Sequence, residues 1–171
     1  MLTEKLLATE TDEAVRRDIL FKQMDDAFAT ILRQIYFAMF ERDAHALIMK
    51  NASVYDLCAA YMENLKEQFG DSLELTDDFK WEWVSIPHIY HTPFYVYAYA
   101  FGDCLVNALY AVFQGGHPGF QAKYLDMLRA GGTKRHKELL APFGLDASDP
   151  AFWTKGLDVV SGFIDELEKA G

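Results

Sequence analysis

Several features are scarce in this sequence, and each scarcity closes off a class of function. Basic residues are outnumbered, with 16 Lys and Arg against 26 Asp and Glu for a formal net charge of −10. Phosphate backbones are gripped by clustered Lys and Arg, so nucleic acid is not expected as a partner. Cysteine occurs only at Cys58 and Cys104, which predicts buried, reduced thiols rather than a disulfide framework. No run of about 18 or more uncharged apolar residues occurs, so no membrane-spanning helix is expected. The N-terminal residues carry neither the basic nor the apolar region of a secretory signal, and the expected setting is cytoplasmic. Gly115-Gly116 and Gly131-Gly132 lack the spacing and the lysine of a phosphate-cradling loop. A G-x-S-x-G nucleophile elbow is also missing. Neither cysteine sits in a motif that would activate its thiol.

Apolar and aromatic residues, by contrast, are plentiful. Over 171 residues, 51% are hydrophobic and 15% aromatic, enough for one domain (1–171) with a sizeable core. Apolar positions recur at three and four residues and nowhere alternate as in a strand, which predicts an all-α chain, a multi-helix array. Residues 1–9 place Met1, Leu2, Leu6 and Leu7 at helical spacing with no capping residue ahead of them. That pattern reads either as the inside of a helix cut open or as a short helix docked on the core. Thr11 or Asp12 can cap a helix running to about Ile48, with Leu20, Met24, Ala27, Phe28, Ile31, Ile35, Ala38 and Met39 as its stripe. A helix of roughly 35 residues spans about 50 Å, more than a small bundle needs. Within it, Glu41 and His45 sit one turn apart and could share a metal or a proton, although the simpler reading is a surface pair near a helix end.

Asn51 or Ser53 opens the next helix, Val54 to Phe69, which Gly70 ends. An acidic connector follows at 71–79; it lacks the spacing and mid-loop glycine of a calcium loop. Thr76 can cap a short helix carrying Trp81 and Trp83. Further helices are expected from Phe94 to Phe113, from about Phe120 to Arg129, from Lys134 to Leu140, and from Asp149-Pro150 to about Lys169.

The stretch Trp81–Gly102 concentrates the side chains able to do chemistry, holding His88, His91 and four tyrosines, Tyr90, Tyr95, Tyr97 and Tyr99. Pro87 and Pro93 pin the residues between them into a stiff connection. Tyr95 and Tyr99, four residues apart, share a helix face; Tyr97 does not. His88-x-x-His91 could present two imidazoles to a metal, but zinc needs a third ligand, for which Glu82 is the nearest carboxylate in sequence. The zinc-peptidase signature H-E-x-x-H is absent. Phenol and imidazole donors aimed at a developing oxyanion fit these residues better, against the alternative of core tyrosines with satisfied hydroxyls.

This stretch resembles the oligoendopeptidase F group of the thimet-oligopeptidase-like zinc metallopeptidases. Their pattern W-x-x-I-P-H-x-Y-x-x-x-F-Y-V-Y-x-Y-x-x-G is matched by Trp83, Ile86, Pro87, His88, Tyr90, Phe94, Tyr95, Val96, Tyr97, Tyr99 and Gly102. Similar matches are LRQIYFAMFERDAHAL (32–47), the AGG at 130–132, ELLAPFG (138–144) and the closing DPAFWTKGLDVVSGFIDELE. The resemblance implies a helical fold around a deep cleft and a peptidase acting on short peptides. Zinc in such an enzyme is held by the histidines of H-E-x-x-H and a Glu on a following helix. Carried over, His88, Tyr95 and Tyr99 are the catalytic candidates; Tyr90, Tyr97 and His91 are substrate-binding candidates. His91 falls where the group commonly has an aromatic residue. The zinc motif and third-ligand Glu would precede a segment like MLTEKLLAT. The expectation is therefore the C-terminal portion of a peptidase, inactive alone and without a complete metal site. Its partners would be the missing N-terminal part and, through exposed apolar surface, a second copy in a homodimer. A non-enzymatic helical domain binding a peptide or protein partner through an aromatic groove is the competing reading.

Overall fold

A computed structural model describes residues 2–170; Met1, part of the first apolar pattern, lies outside them. Among the described residues the chain is all helix: α1 (Leu2–Thr9), α2 (Glu13–Ala27), α3 (Arg33–Ile48), α4 (Val54–Phe69), α5 (Pro87–His91), α6 (Tyr97–Gln114), α7 (Phe120–Ala130), α8 (His136–Leu140) and α9 (Pro150–Ala170). A π turn occupies Phe28–Leu32, and 3₁₀ turns occupy Asp77–Ser85, Gly131–Thr133 and Ala141–Phe143. No described helix is long and apolar enough to cross a membrane. Both cysteines are free and buried.

Two compact units are formed, one by residues 1–27 and 102–171 and the other by residues 28–101. In the first, Leu7, Leu20 and Phe163 bury a small apolar cluster. A second cluster is built from Ala108, Leu109, Leu140, Phe143, Leu145 and Phe152. Asp12 caps α2 by accepting from the Ala14 and Val15 amides at 2.9 and 3.2 Å, and Asp149 caps α9 through the Ala151 amide at 2.9 Å. Gly156 of α9 lies flat against α6, where a Cβ would stand 2.6 Å from the Cys104 carbonyl oxygen.

The second unit holds the sequence pattern of interest. Its core is Phe37, Phe40 and Ala44 from α3, Leu57, Tyr61 and Leu65 from α4, and Ile86 and Val96 from the segments that follow. Ser53 and Asp56 form a capping box at the start of α4, two orphan donors satisfied reciprocally. Here the expected apolar stripe is corrected. A single α-helix from about residue 12 to Ile48 would bury Ile35, Ala38 and Met39, yet Ile35 is 40% exposed while Phe37, Phe40, Glu41 and Ala44 are buried. A π turn at Phe28–Leu32 separates the two stretches, and they pack in different units, α2 against α9 and α3 against α4, so one apolar stripe does not run through both.

The Asp77–Ser85 turn is tied to this core through Glu82. Tyr61, fully buried, donates its hydroxyl to Glu82 Oε2 at 2.7 Å, and Arg33 pairs with Glu82 Oε1 while its guanidinium lies 4.9 Å from the centre of the Phe37 ring. Burial first, then the Glu82 hydrogen bond and charge, push the Tyr61 phenol far above its ordinary value, so it stays a donor. Thr76 stands at the start of this turn in an extended conformation, but its side chain makes no capping bond.

Candidate functional site

The site begins at Ile86, whose buried side chain anchors the chain to the core just before Pro87. Pro87 sits at the first position of α5, where its fixed φ suits a helix and its missing N–H costs nothing. The stiff connection expected between the two prolines is therefore largely a single helical turn, Pro87–His91. After it, Pro93 and Phe94 break the helix, and Phe94 adopts φ 59°, a left-handed conformation unusual for a bulky side chain. α6 consequently starts at Tyr97 and not at Phe94, and Tyr95 lies in the turn before it. That corrects the placement of Tyr95 and Tyr99 along one helix.

They meet nevertheless. The Tyr95 and Tyr99 rings are 5.5 Å apart at 83°. His88 stacks on Tyr95 with centroids 5.9 Å apart and planes 10° from parallel, and it meets Tyr99 edge-on at 5.7 Å and 89°. A hydrogen bond links His88 Nε2 and the Tyr99 hydroxyl at 3.1 Å. The three residues form one cluster, drawn from α5, the turn and α6. The described ring and hydrogen-bond contacts do not bring Tyr90, His91 or Tyr97 into it; all three are exposed. Desolvation moves the Tyr90 phenol upward.

The His88–Tyr99 bond can run in two senses. If His88 donates, the Tyr99 hydroxyl proton is released to point at another acceptor. If Tyr99 donates, the outward donor is His88 Nδ1–H. Either way the pair can offer a hydrogen bond to an oxygen that gains negative charge. Tyr95 and Tyr99 are 47% and 38% exposed, so the cluster lies at an accessible surface.

Residues 1–159 match Peptidase family M3. The chain belongs to this family. It is 33% identical over 171 residues to an oligoendopeptidase F homolog of Borreliella burgdorferi, covering 99% of this chain and 29% of that protein. Oligopeptidase PepF of Bacillus subtilis is 30% identical over 172 residues, covering 99% of this chain and 25% of PepF. The crystal structure of oligoendopeptidase-F from Enterococcus faecium superposes with a TM-score of 0.89 at 30% identity, covering 99% of this chain and 33% of that one. The chain thus spans between a quarter and a third of the length of these M3 relatives.

Zinc, which the likeness to metallopeptidases implies, finds no ligand set here: among the described residues no three His, Cys, Asp or Glu side chains come together to hold a metal ion. The side chains that the sequence offered are engaged elsewhere. His88 faces Tyr99, and Glu82 is taken by Tyr61 and Arg33.

Glu41 is the residue that sequence reasoning misplaced. It is fully buried, not a surface partner of the exposed His45. Its Oε1 accepts the Phe94 amide at 2.7 Å, and its Oε2 is buried with no hydrogen-bond partner. His45 instead packs on Phe94, with ring centroids 4.7 Å apart. The left-handed Phe94 backbone costs about 1–3 kcal/mol. Leaving a buried carboxyl oxygen without its hydrogen bond costs about 1–3 kcal/mol, a penalty of the same size. The signal was available: Glu41 stands four residues after Phe37 and three before Ala44, inside the buried stripe.

Proposed function

We propose that this chain is the substrate-binding and transition-state-stabilising portion of a zinc-dependent oligopeptidase that cleaves short peptides. The observation that carries this is the His88–Tyr95–Tyr99 cluster, three ring donors gathered at an accessible surface in the segment that most resembles oligoendopeptidase F. In this reading Tyr99 or Tyr95 donates to the scissile carbonyl oxygen as it becomes tetrahedral, and His88 sets the direction of the Tyr99 proton and holds it. Tyr90, Tyr97 and His91 contact the peptide further along. Such donors are most effective in a water-excluded cleft. The exposure of Tyr95 and Tyr99 calls for a second wall, supplied by polypeptide that carries H-E-x-x-H and the third-ligand Glu. The chain alone is accordingly inactive.

The test is complementation. This chain by itself is expected to leave a short fluorogenic peptide uncleaved, and to cleave it once the zinc-bearing N-terminal portion of the peptidase is added. Hydrolysis by the chain alone would sink the incompleteness claim. In the complemented enzyme, His88→Ala and Tyr95→Phe should lower kcat more than they raise KM, the mark of an interaction made in the transition state. An unchanged kcat removes those residues from the role.

A second reading rests on a different observation. An apolar groove of about 320 Å³ in the first unit is lined by Val106, Leu109, Tyr110, Phe113, Phe120 and Tyr124, which suits a non-enzymatic helical domain that docks a peptide or partner. Peptide affinity that persists without the N-terminal portion and is lost in Phe113→Ser, but not in His88→Ala, would favour it.

A further inference from the structure

Glu41 lies on α3, remote in sequence from the ring cluster, yet it touches the turn on which the cluster depends. Three observations meet at Phe94. Its amide donates to the buried Glu41 Oε1 at 2.7 Å, its ring packs on His45 of the same helix at 4.7 Å, and its backbone is held at φ 59°. Phe94 immediately precedes Tyr95 and follows α5, which carries His88. The conformation of this one residue therefore sets how the chain leaves α5 and enters α6, and with it the 10° stacking of His88 on Tyr95 and the 3.1 Å approach of His88 to Tyr99.

We infer that Glu41 is a positioning residue: its carboxylate, buried in the core of residues 28–101, locks the left-handed turn at Phe94 and so fixes His88, Tyr95 and Tyr99 relative to one another. The inference rests on the proposed peptidase role for what the cluster is used for, but not for the geometry itself. A fully buried acid in an otherwise apolar stripe is costly unless its hydrogen bonds are worth more than an apolar side chain there. Oε2 makes no such bond, so the bond between Oε1 and the Phe94 amide is the reason for an acceptor at this position. A helix-capping or ion-pair role is ruled out by the same geometry, because the partner is a main-chain amide of another element.

The test uses this chain alone, without zinc or substrate. Glu41→Gln keeps an acceptor oxygen for the Phe94 amide; Glu41→Leu removes it at similar size. Amide exchange at Phe94 and the ¹⁵N shifts of the His88 ring are read in each. In Glu41→Leu the Phe94 amide should exchange at least about tenfold faster, the factor that corresponds to about 1.4 kcal/mol. The His88 ring nitrogens should move to the shifts of an imidazole without the Tyr99 bond. Glu41→Gln should retain both signatures. A folded Glu41→Leu with unchanged His88 shifts overturns the inference, and so does a Glu41→Gln that loses them. Where Glu41→Leu fails to fold, replacing Phe94 by phenyllactic acid turns its amide N–H into an ester oxygen and removes the donor while keeping the side chain. Unmoved His88 shifts in that ester, or its outright unfolding, overturn the inference, and shifted ones support it. These readouts stand even if complementation never yields a peptidase. Where it does, Glu41→Leu should lower kcat at least about tenfold with KM held, and Glu41→Gln should restore most of it.

Discussion

Two glycines on one helix make a matched experiment. Gly156 and Gly162 both lie within α9, where replacing Gly by Ala ordinarily stabilises a helix by about 1 kcal/mol. At Gly162 a Cβ would meet nothing within 4 Å, so Gly162→Ala should deliver that gain. At Gly156 the same Cβ would stand 2.6 Å from the Cys104 carbonyl oxygen and 3.2 Å from its Cα. Both are backbone atoms of α6, so no side chain can swing aside. The two helices must separate, and overpacking of this kind costs about 1–3 kcal/mol. Propensity cancels between the two variants, which leaves the collision as their difference. Urea or thermal unfolding of the two proteins measures it directly. For a chain of this size about 1 kcal/mol corresponds to about 2–4 °C, so Gly162→Ala should melt a few degrees above the parent. Gly156→Ala should melt several degrees below Gly162→Ala. If Gly156→Ala is as stable as Gly162→Ala, α9 and α6 do not approach as closely as described, and the reasoning fails.

Other consequences are simpler to state. Glu82→Ala leaves the fully buried Tyr61 hydroxyl without its acceptor and should destabilise by about 1–3 kcal/mol; an unchanged urea midpoint would count against the Tyr61–Glu82–Arg33 tie. Burial raises the Asp103 carboxyl above its ordinary value, opposed by the Asn107 side chain at 3.3 Å. A carboxyl raised in the folded state binds its proton more tightly there than in the unfolded chain. Its penalty is therefore absent below the unfolded pKa, builds as pH rises past that value, and is complete above the folded one. Asp103→Asn should accordingly melt above the parent at neutral pH, with the advantage fading under acid conditions; an advantage independent of pH would refute this cause. If exposed apolar side chains such as Leu2, Ile48, Met49 and Phe113 drive the expected self-association, light scattering should find dimers; a clean monomer removes that expectation.

The candidate site was legible in part because its pieces lie close together in sequence. His88, Tyr95 and Tyr99 fall within twelve consecutive residues, and the flanking prolines announce a constrained path between them. What could not be read was the path itself. Pro93 shows that helix is interrupted, but the left-handed Phe94 conformation depends on Glu41, more than fifty residues earlier. For the same reason the sequence pattern places Tyr95 in one helix with Tyr99, whereas its ring reaches Tyr99 from the turn before α6. The surface reading of Glu41 failed because a charged residue near His45 looks like an ion pair when the phase of the helix is unknown.

The sequence by itself determined the all-helical class, capped starts at Thr11 or Asp12, at Asn51 or Ser53 and at Asp149, and the family, because these depend on local spacing, local hydrogen bonds and a long contiguous pattern. Tertiary structure decided the rest. The packing of α3 against α4 decided which face of α3 is buried, and with it that Glu41 lies in the core beside the Phe94 amide. Helical phase is set by contacts summed over a whole packed unit, which no local window contains. The ring cluster owes its residues to the sequence and its geometry to that packing.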